Sequence, residues 1–228
     1  MKVIEVIAKI PLFSGLPKEQ LAKVAGIVTE QALDKGEAIF SQGDEASGFY
    51  VVTSGMVKIF KLSSEGKEQI LHFVGPGQTF GEVPMFSGEH FPANAEAIEK
   101  SRVLFLPRTL FLELIKQDPF FAMRMLSELS KRLRHFNRLV EELSLKEVPG
   151  RLAAYILYLS GSKGGAEEIT LSITKGHLAS LLGTIPETIS RILGKMSSQD
   201  IIRVQGRKIK ILNRRTLEEI SESGKYFL

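Results

Sequence analysis

Residues 174–193, TKGHLASLLGTIPETISRIL, constrain this chain more than any other stretch. They predict two short helices joined by a tight turn. Gly183 can adopt the positive φ that ends a helix sharply, and Pro186 suits the first position of the next helix. Beyond the turn, Ile189, Ile192, Leu193 and Met196 recur at helical spacing and predict a buried face. Glu187, Ser190 and Arg191 stand at i, i+3 and i+4 on a polar face, so they are neighbours. All three side-chain types can read base edges in a major groove: Arg at guanine O6 and N7, Glu at cytosine N4, Ser at either. Lys175, Thr184 and Thr188 border this face and are further candidates for DNA contact. A solvated helix beside a glycine turn would show the same pattern, so the flanks carry weight.

Those flanks predict a hairpin. Residues 201–204 and 208–212 are short alternating apolar runs around Gln205, Gly206 and Arg207, which suit a tight turn. A basic hairpin after a reading helix is a wing placed to touch phosphates, and Arg203, Arg207, Lys208 and Lys210 supply its charge. Residues 146–228 carry 13 Lys and Arg against 8 Asp and Glu, whereas residues 1–145 carry 17 against 18. The excess positive charge therefore belongs to the end expected to meet DNA. Cysteine is absent, which excludes disulfides, thiol catalysis, cysteine-based zinc sites and cysteine-ligated iron–sulfur clusters. His72, His90, His135 and His177 have no close metal-ligand spacing, so any metal site stays unassigned. No apolar run reaches membrane-spanning length and no signal-peptide pattern opens the chain, so the expected compartment is the cytoplasm.

The preceding residues divide by texture. Residues 1–30 read as helical, with a break between Pro11 and Pro17. From Ala32 to Pro107, short apolar runs alternate with Gly-rich turns, which predicts an antiparallel barrel or sandwich. A long helix is expected over 118–145, with Pro119 in its first turn. Along it, Leu126, Leu129, Leu133, Phe136, Val140 and Leu143 alternate three and four apart, as in a heptad seam between two helices. Packing of this helix on its own β-domain is the alternative. Val148, Pro149 and Gly150 then read as a hinge, followed by an amphipathic helix over 151–160.

This order resembles the CRP/FNR family of transcription regulators over essentially the whole chain. Gly36-Glu37 with Gln42-Gly43-Asp44, the run from Phe49 to Gly55, and the run from Gly75 to Glu82 resemble that family's β-roll turns and ligand cassette. Glu187-Thr188-Ile189-Ser190-Arg191 is similar to the FNR-type reading helix. The resemblance implies an α+β fold: an N-terminal antiparallel β-roll (a cyclic-nucleotide-binding-like jelly roll) over 1–117, a dimerisation helix over 118–145, and a C-terminal winged helix-turn-helix over 146–228. It also implies a homodimer that binds palindromic TTGA-like sites through Glu187, Ser190 and Arg191, with RNA polymerase as a further partner. Pro186 stands where the cyclic-AMP branch has an Arg.

The cassette departs from nucleotide binders. They follow their Gly-Glu with an Arg that pairs with the cyclic phosphate, whereas no Lys or Arg occurs between Glu68 and Glu99 here. A buried phosphate without a cation would be strongly disfavoured, so cyclic AMP is not the expected effector. Gly81-Glu82-Val83-Pro84-Met85-Phe86 with Phe91-Pro92-Ala93 resembles instead the nitric-oxide-responsive DNR and HcpR group. That resemblance implies haem in an apolar pocket formed by Gly81, Glu82, Val83, Met85, Phe91, Pro92 and Ala93, faced by Leu133, Phe136 and Asn137. His72, His90 and His135 are candidate haem ligands, and none is singled out. Glu82 can equally tie the cassette turn through backbone N–H groups. A constitutive DNA-binding dimer with a vestigial pocket is the alternative function. A β-barrel enzyme is a weaker one, since no nucleophile–base or metal-ligand cluster is legible.

Overall fold

The computed structural model describes residues 3–84, 90–161 and 164–223, apart from the side chains at 128, 132, 135, 138, 139 and 142–144. Met85, and the side chains of His135 and Leu143, therefore lie outside the described residues. The chain divides into two compact units, Met1–Arg132 and Leu133–Leu228.

In the first unit, α1 (Val3–Ile7) and α2 (Lys18–Ile27) precede the strands β1 (Thr29–Leu33), β2 (Ala38–Phe40), β3 (Gly48–Ser54) and β4 (Val57–Leu62). These are followed by β5 (Glu68–Val74), β6 (Thr79–Phe80), β7 (Asn94–Ala97) and β8 (Ser101–Pro107). They form two four-stranded sheets, ordered β1-β8-β3-β6 and β2-β7-β4-β5, with antiparallel neighbours. The middle strand β3 explains why the apolar runs do not alternate with polar residues. Its Phe49 and Val51 join a core with Phe13, Leu21 and Phe111 of the helical layer. Its Tyr50 and Val52 join a second core with Phe40, Val57 and Phe80 inside the roll. A sheet covered on both faces has no solvated side to mark. At Gly48 an added Cβ would lie 2.2 Å from the Leu106 carbonyl oxygen, so β3 can start against β8 only with glycine there.

Helix α3 (Arg108–Gln117) follows β8 directly and buries Phe111 and Leu114. The strand pattern of the sequence ends at Pro107 and its helix signal starts at Asp118, so α3 has no cap signature that separates it from either. On the other sheet, Lys58 is buried, with its Nζ 2.5 Å from Glu68 Oε2, 3.3 Å from Glu96 Oε1 and 4.4 Å from the Phe60 ring centre.

Helix α4 (Phe120–Leu145) starts where Asp118 Oδ1 accepts the Phe120 N–H at 2.9 Å, which satisfies a free donor of the first turn. On the expected seam, Leu126, Leu133 and Val140 are 57%, 62% and 63% exposed, while Leu129 and Phe136 are half-buried.

The second unit continues with α5 (Val148–Gly161), β9 (Glu168–Thr170), α6 (Lys175–Leu181), α7 (Pro186–Ser198), β10 (Ile202–Gln205), β11 (Lys208–Ile211) and α8 (Arg214–Ser223). One expectation is corrected. Val148, Pro149 and Gly150 are not an interruption but the first turn of α5, and the non-helical link is Lys146 and Glu147. Proline has no N–H to lose in a first turn, so Pro149 opens this helix instead of breaking one. Helix α5 packs against α8, whose Leu217 and Ile220 are buried.

Candidate nucleic-acid interface

Helix α6 is capped by Thr174, whose Oγ1 accepts the His177 N–H at 3.1 Å. At its other end Leu182 N–H donates to Leu178 O at 3.0 Å, Thr184 N–H donates to Ala179 O at 2.9 Å, and Gly183 takes φ +66°. That conformation is strained for any residue with a side chain, so Gly183 is what lets the chain reverse within two residues. Ile185 is extended (φ −112°), and Pro186 occupies the first turn of α7.

Ile189, Ile192, Leu193 and Met196 bury one face of α7. Glu187, Ser190 and Arg191 are all exposed, and Thr188 is half-buried beside them. Lys175 is exposed and Thr184 half-buried. The expected reading face is therefore formed by residues that make little contribution to the core of their own unit. A groove of about 400 Å³ lies beside it, lined by Glu147, Val148 and Pro149 at the start of α5 and by Thr188, Arg191, Ile192 and Lys195 of α7.

The wing is a three-stranded sheet, β10-β11-β9. The third strand, β9, is too short to read from sequence and is recruited by pairing Ile169 with Ile209. Ile169, Ile202, Ile209 and Ile211 are buried, while Arg203, Arg207, Lys208 and Lys210 are exposed. Gly206 (φ +60°) makes the turn. Arg203 and Lys210 are directly opposed across β10 and β11. Like charges so placed repel, although Lys210 also stands opposite Glu168 on β9. Lys208 differs, since its Nζ lies 3.1 Å from Glu168 Oε1.

Arg151 carries no sequence signature but joins this region. Its Nε donates to Lys146 O at 2.9 Å and its Nη1 donates to Leu182 O. Burial pulls its pKa below the usual guanidinium value. Farther along, Arg214 Nη2 donates to Ser160 Oγ, which donates in turn to Ala166 O at 2.7 Å, tying α8 to the end of α5.

The expected effector residues fall in both units. In the first, Phe91 and Ala93 are buried with the roll interior, Glu82 is buried, and Val83 and Pro92 are exposed. The Phe40 and Phe91 rings stack with centres 3.7 Å apart and planes within 7°, and Tyr50 stacks on Phe80 at 5.2 Å. Gly81 takes φ +73°, and a Cβ there would meet both Phe40 and Phe91 at 3.1 Å. His72 lies on β5 opposite Ile59, and His90 is exposed in a bridge with Glu45. Leu133, Phe136 and Asn137 belong to the second unit, with Leu133 and Asn137 exposed and Phe136 half-buried.

A β-roll, a long helix and a winged helix-turn-helix whose second helix exposes a polar face define a class: the DNA-binding transcription regulator. The family profile for a cyclic nucleotide-binding domain matches residues 30–118, and that for a Crp-like helix-turn-helix domain matches residues 150–220. The chain is similar to the cyclic AMP receptor protein of Thermus thermophilus, with 32% identity over 211 residues covering 92% of this chain and 96% of that protein. It is also similar to the fumarate and nitrate reduction regulatory protein of Vibrio cholerae, with 30% identity over 203 residues covering 87% and 81% respectively. Among solved structures it resembles FixK2 from Bradyrhizobium japonicum, with TM-score 0.75 and 29% identity over 85% of this chain and 96% of that one. The chain belongs to the CRP/FNR family of transcription regulators and is not an enzyme. No described helix is long and apolar enough to cross a membrane.

Proposed function

We propose that the protein is a homodimeric regulator that binds palindromic TTGA-like sites in the cytoplasm, reads them through Glu187, Ser190 and Arg191, and acts with RNA polymerase. The observation that carries this reading is the exposure of these three side chains on one face of α7, whose opposite face is buried. Lys175, Thr184 and Thr188 border the face, and Arg207 and Lys208 lie on the wing. Residues 1–117, 118–145 and 146–228 serve as sensor, dimerisation helix and DNA-binding domain. Leu126, Leu129, Leu133, Phe136, Val140 and Leu143 form the dimer seam.

Arg191 to guanine is the strongest single contact. Gel shifts of Arg191→Ala on matched and mismatched sites test it: its loss costs about 1–3 kcal/mol and relaxes preference at one base pair. An equal loss on every sequence would make Arg191 a phosphate contact and refute the assignment of the face.

The effector differs from the cyclic AMP named for the Thermus relative. The residues around Gly81 do not fit a cyclic nucleotide. No Lys or Arg lies between Glu68 and Glu99 to meet its phosphate. An apolar interior suits an apolar effector such as haem, held near Gly81, Glu82, Val83, Phe91, Pro92 and Ala93. It would act only through different affinities for two arrangements of the link at Lys146 and Glu147. The 3.7 Å Phe40–Phe91 stack favours a second reading, in which the roll fills itself and DNA binding is constitutive. Titration with haemin separates the two. A Soret shift with altered DNA affinity supports the effector; neither change supports the constitutive dimer.

A further inference from the structure

We propose that Arg151 is a positioning residue for DNA reading: by binding the carbonyls of Lys146 and Leu182 together, it fixes the angle between the end of α4 and reading helix α7. It thereby sets the half-site spacing that a dimer accepts. This rests on the palindrome reading above.

The two acceptors sit at informative places. Lys146 is the first residue beyond α4, and Leu182 is the C-cap of α6, directly before the Gly183 turn that launches α7. Carbonyls at helix C-termini lack intrahelical partners and carry partial negative charge. A guanidinium placed on both satisfies two such ends at once. Its donors are planar and fixed relative to one another, so the pair of bonds also fixes the mutual geometry of its acceptors. A lysine ammonium in the same place has no such fork.

The covalent path between the two helices makes that constraint consequential. Only Lys146 and Glu147 separate α4 from α5, and rotation about these residues would swing everything that follows. Arg151 stands in the first turn of α5, its backbone N–H bonded to Glu147 O at 3.0 Å, and its Nε closes the link from the other side at Lys146 O. Its Nη1 then reaches the turn between α6 and α7. On the groove side, Glu147, Val148 and Pro149 share with Thr188, Arg191 and Lys195 the walls of about 400 Å³ of space, and α5 and α7 make few contacts. The guanidinium is thus a polar tie between the link and the launch point of the reading helix.

In a two-fold dimer this angle appears as spacing. One added base pair displaces a half-site by about 3.4 Å and rotates it by about 35°. A rigid protein rejects that change, and a loosened one tolerates it. A merely structural arginine would affect melting temperature without affecting the spacing profile.

The test uses the full chain and a palindrome at its best spacing, one base pair longer and one shorter. A fourth duplex is mismatched at the pair read by Arg191. Wild type should lose about tenfold or more in affinity on either spacing change, on the scale of a mismatched base pair. Arg151→Lys, checked by circular dichroism and sedimentation to be folded and dimeric, should lose less than about threefold on the spacing changes. It should keep the full mismatch penalty. Arg151→Gln gives the same comparison if the lysine variant does not fold. An unchanged spacing profile in the folded variant overturns the proposal, as does joint loss of spacing and base discrimination. Wild type indifferent to spacing but selective for bases also overturns it, leaving base reading intact. Indifference to sequence would overturn both readings.

Discussion

Leu133 and Val140 allow the dimer seam to be tested without disturbing the chain's own fold. Both are more than 60% exposed in the single chain, at 62% and 63%. Glutamate at either position would thus stay solvated in the monomer and leave its core intact. In a dimer the same positions would be buried. Full burial of a Leu or Val side chain is worth about 1.5–3 kcal/mol, so covering the exposed part contributes about 1–2 kcal/mol per side chain. Two positions in two chains give about 4–8 kcal/mol, which corresponds to about 10³- to 10⁶-fold in dissociation constant. Carboxylates facing their own copies across the axis add repulsion and the penalty of unpaired buried charge. Sedimentation of Leu133→Glu/Val140→Glu at micromolar concentration should therefore show monomer, with unchanged far-ultraviolet circular dichroism. Palindrome binding should fall with it, while weak non-specific binding persists. A double variant that remains dimeric places the interface elsewhere. One that unfolds shows that these side chains serve the fold of a single chain.

On the wing, Arg207→Ala should weaken binding to all sequences alike and reduce the salt slope by about one. Lys208→Ala should do less, because Glu168 already compensates its charge at 3.1 Å; salt-dependent gel shifts compare them. Burial, with a smaller contribution from Tyr158, raises the Tyr155 pKa from 10.0 to about 12. The neutral phenol is thus favoured in the folded state, so its stabilisation is complete below pH 10 and is lost as pH rises towards 12. Denaturant melts of Tyr155→Phe should show a flatter decline across that window than wild type. At Lys58, replacement by Met should be destabilising, by less than the ~3–5 kcal/mol of a fully buried pair because Glu68 and Glu96 are 23% and 29% exposed and can be solvated. Removing both Glu68 and Glu96 should be more destabilising, because a buried ammonium then has no carboxylate; thermal melts decide.

Local backbone rules are legible in a linear chain because they act over a few residues. Gly183 and Pro186 already specify the turn and the start of α7, and the spacing of Ile189, Ile192, Leu193 and Met196 already orients its faces. The 118–145 helix is legible for the same reason. Asp118 caps its start, and the 3-4 alternation holds for many turns. Pro149 shows the limit of local rules. A proline after a long helix is equally a breaker or a first-turn residue, and which one applies depends on whether α5 finds α8 to pack against. Interactions between distant residues have no local signal at all. Phe40 meets Phe91 only after β2 pairs with β7, more than fifty residues away, β9 becomes a strand only because β11 offers an edge, and Lys208 finds Glu168 through that pairing. Arg151 is the sharpest case. An arginine in the first turn of a helix looks solvated in sequence, and only the fold brings the ends of two other helices to its guanidinium, because hydrogen-bond geometry depends on distances that sequence separation does not encode.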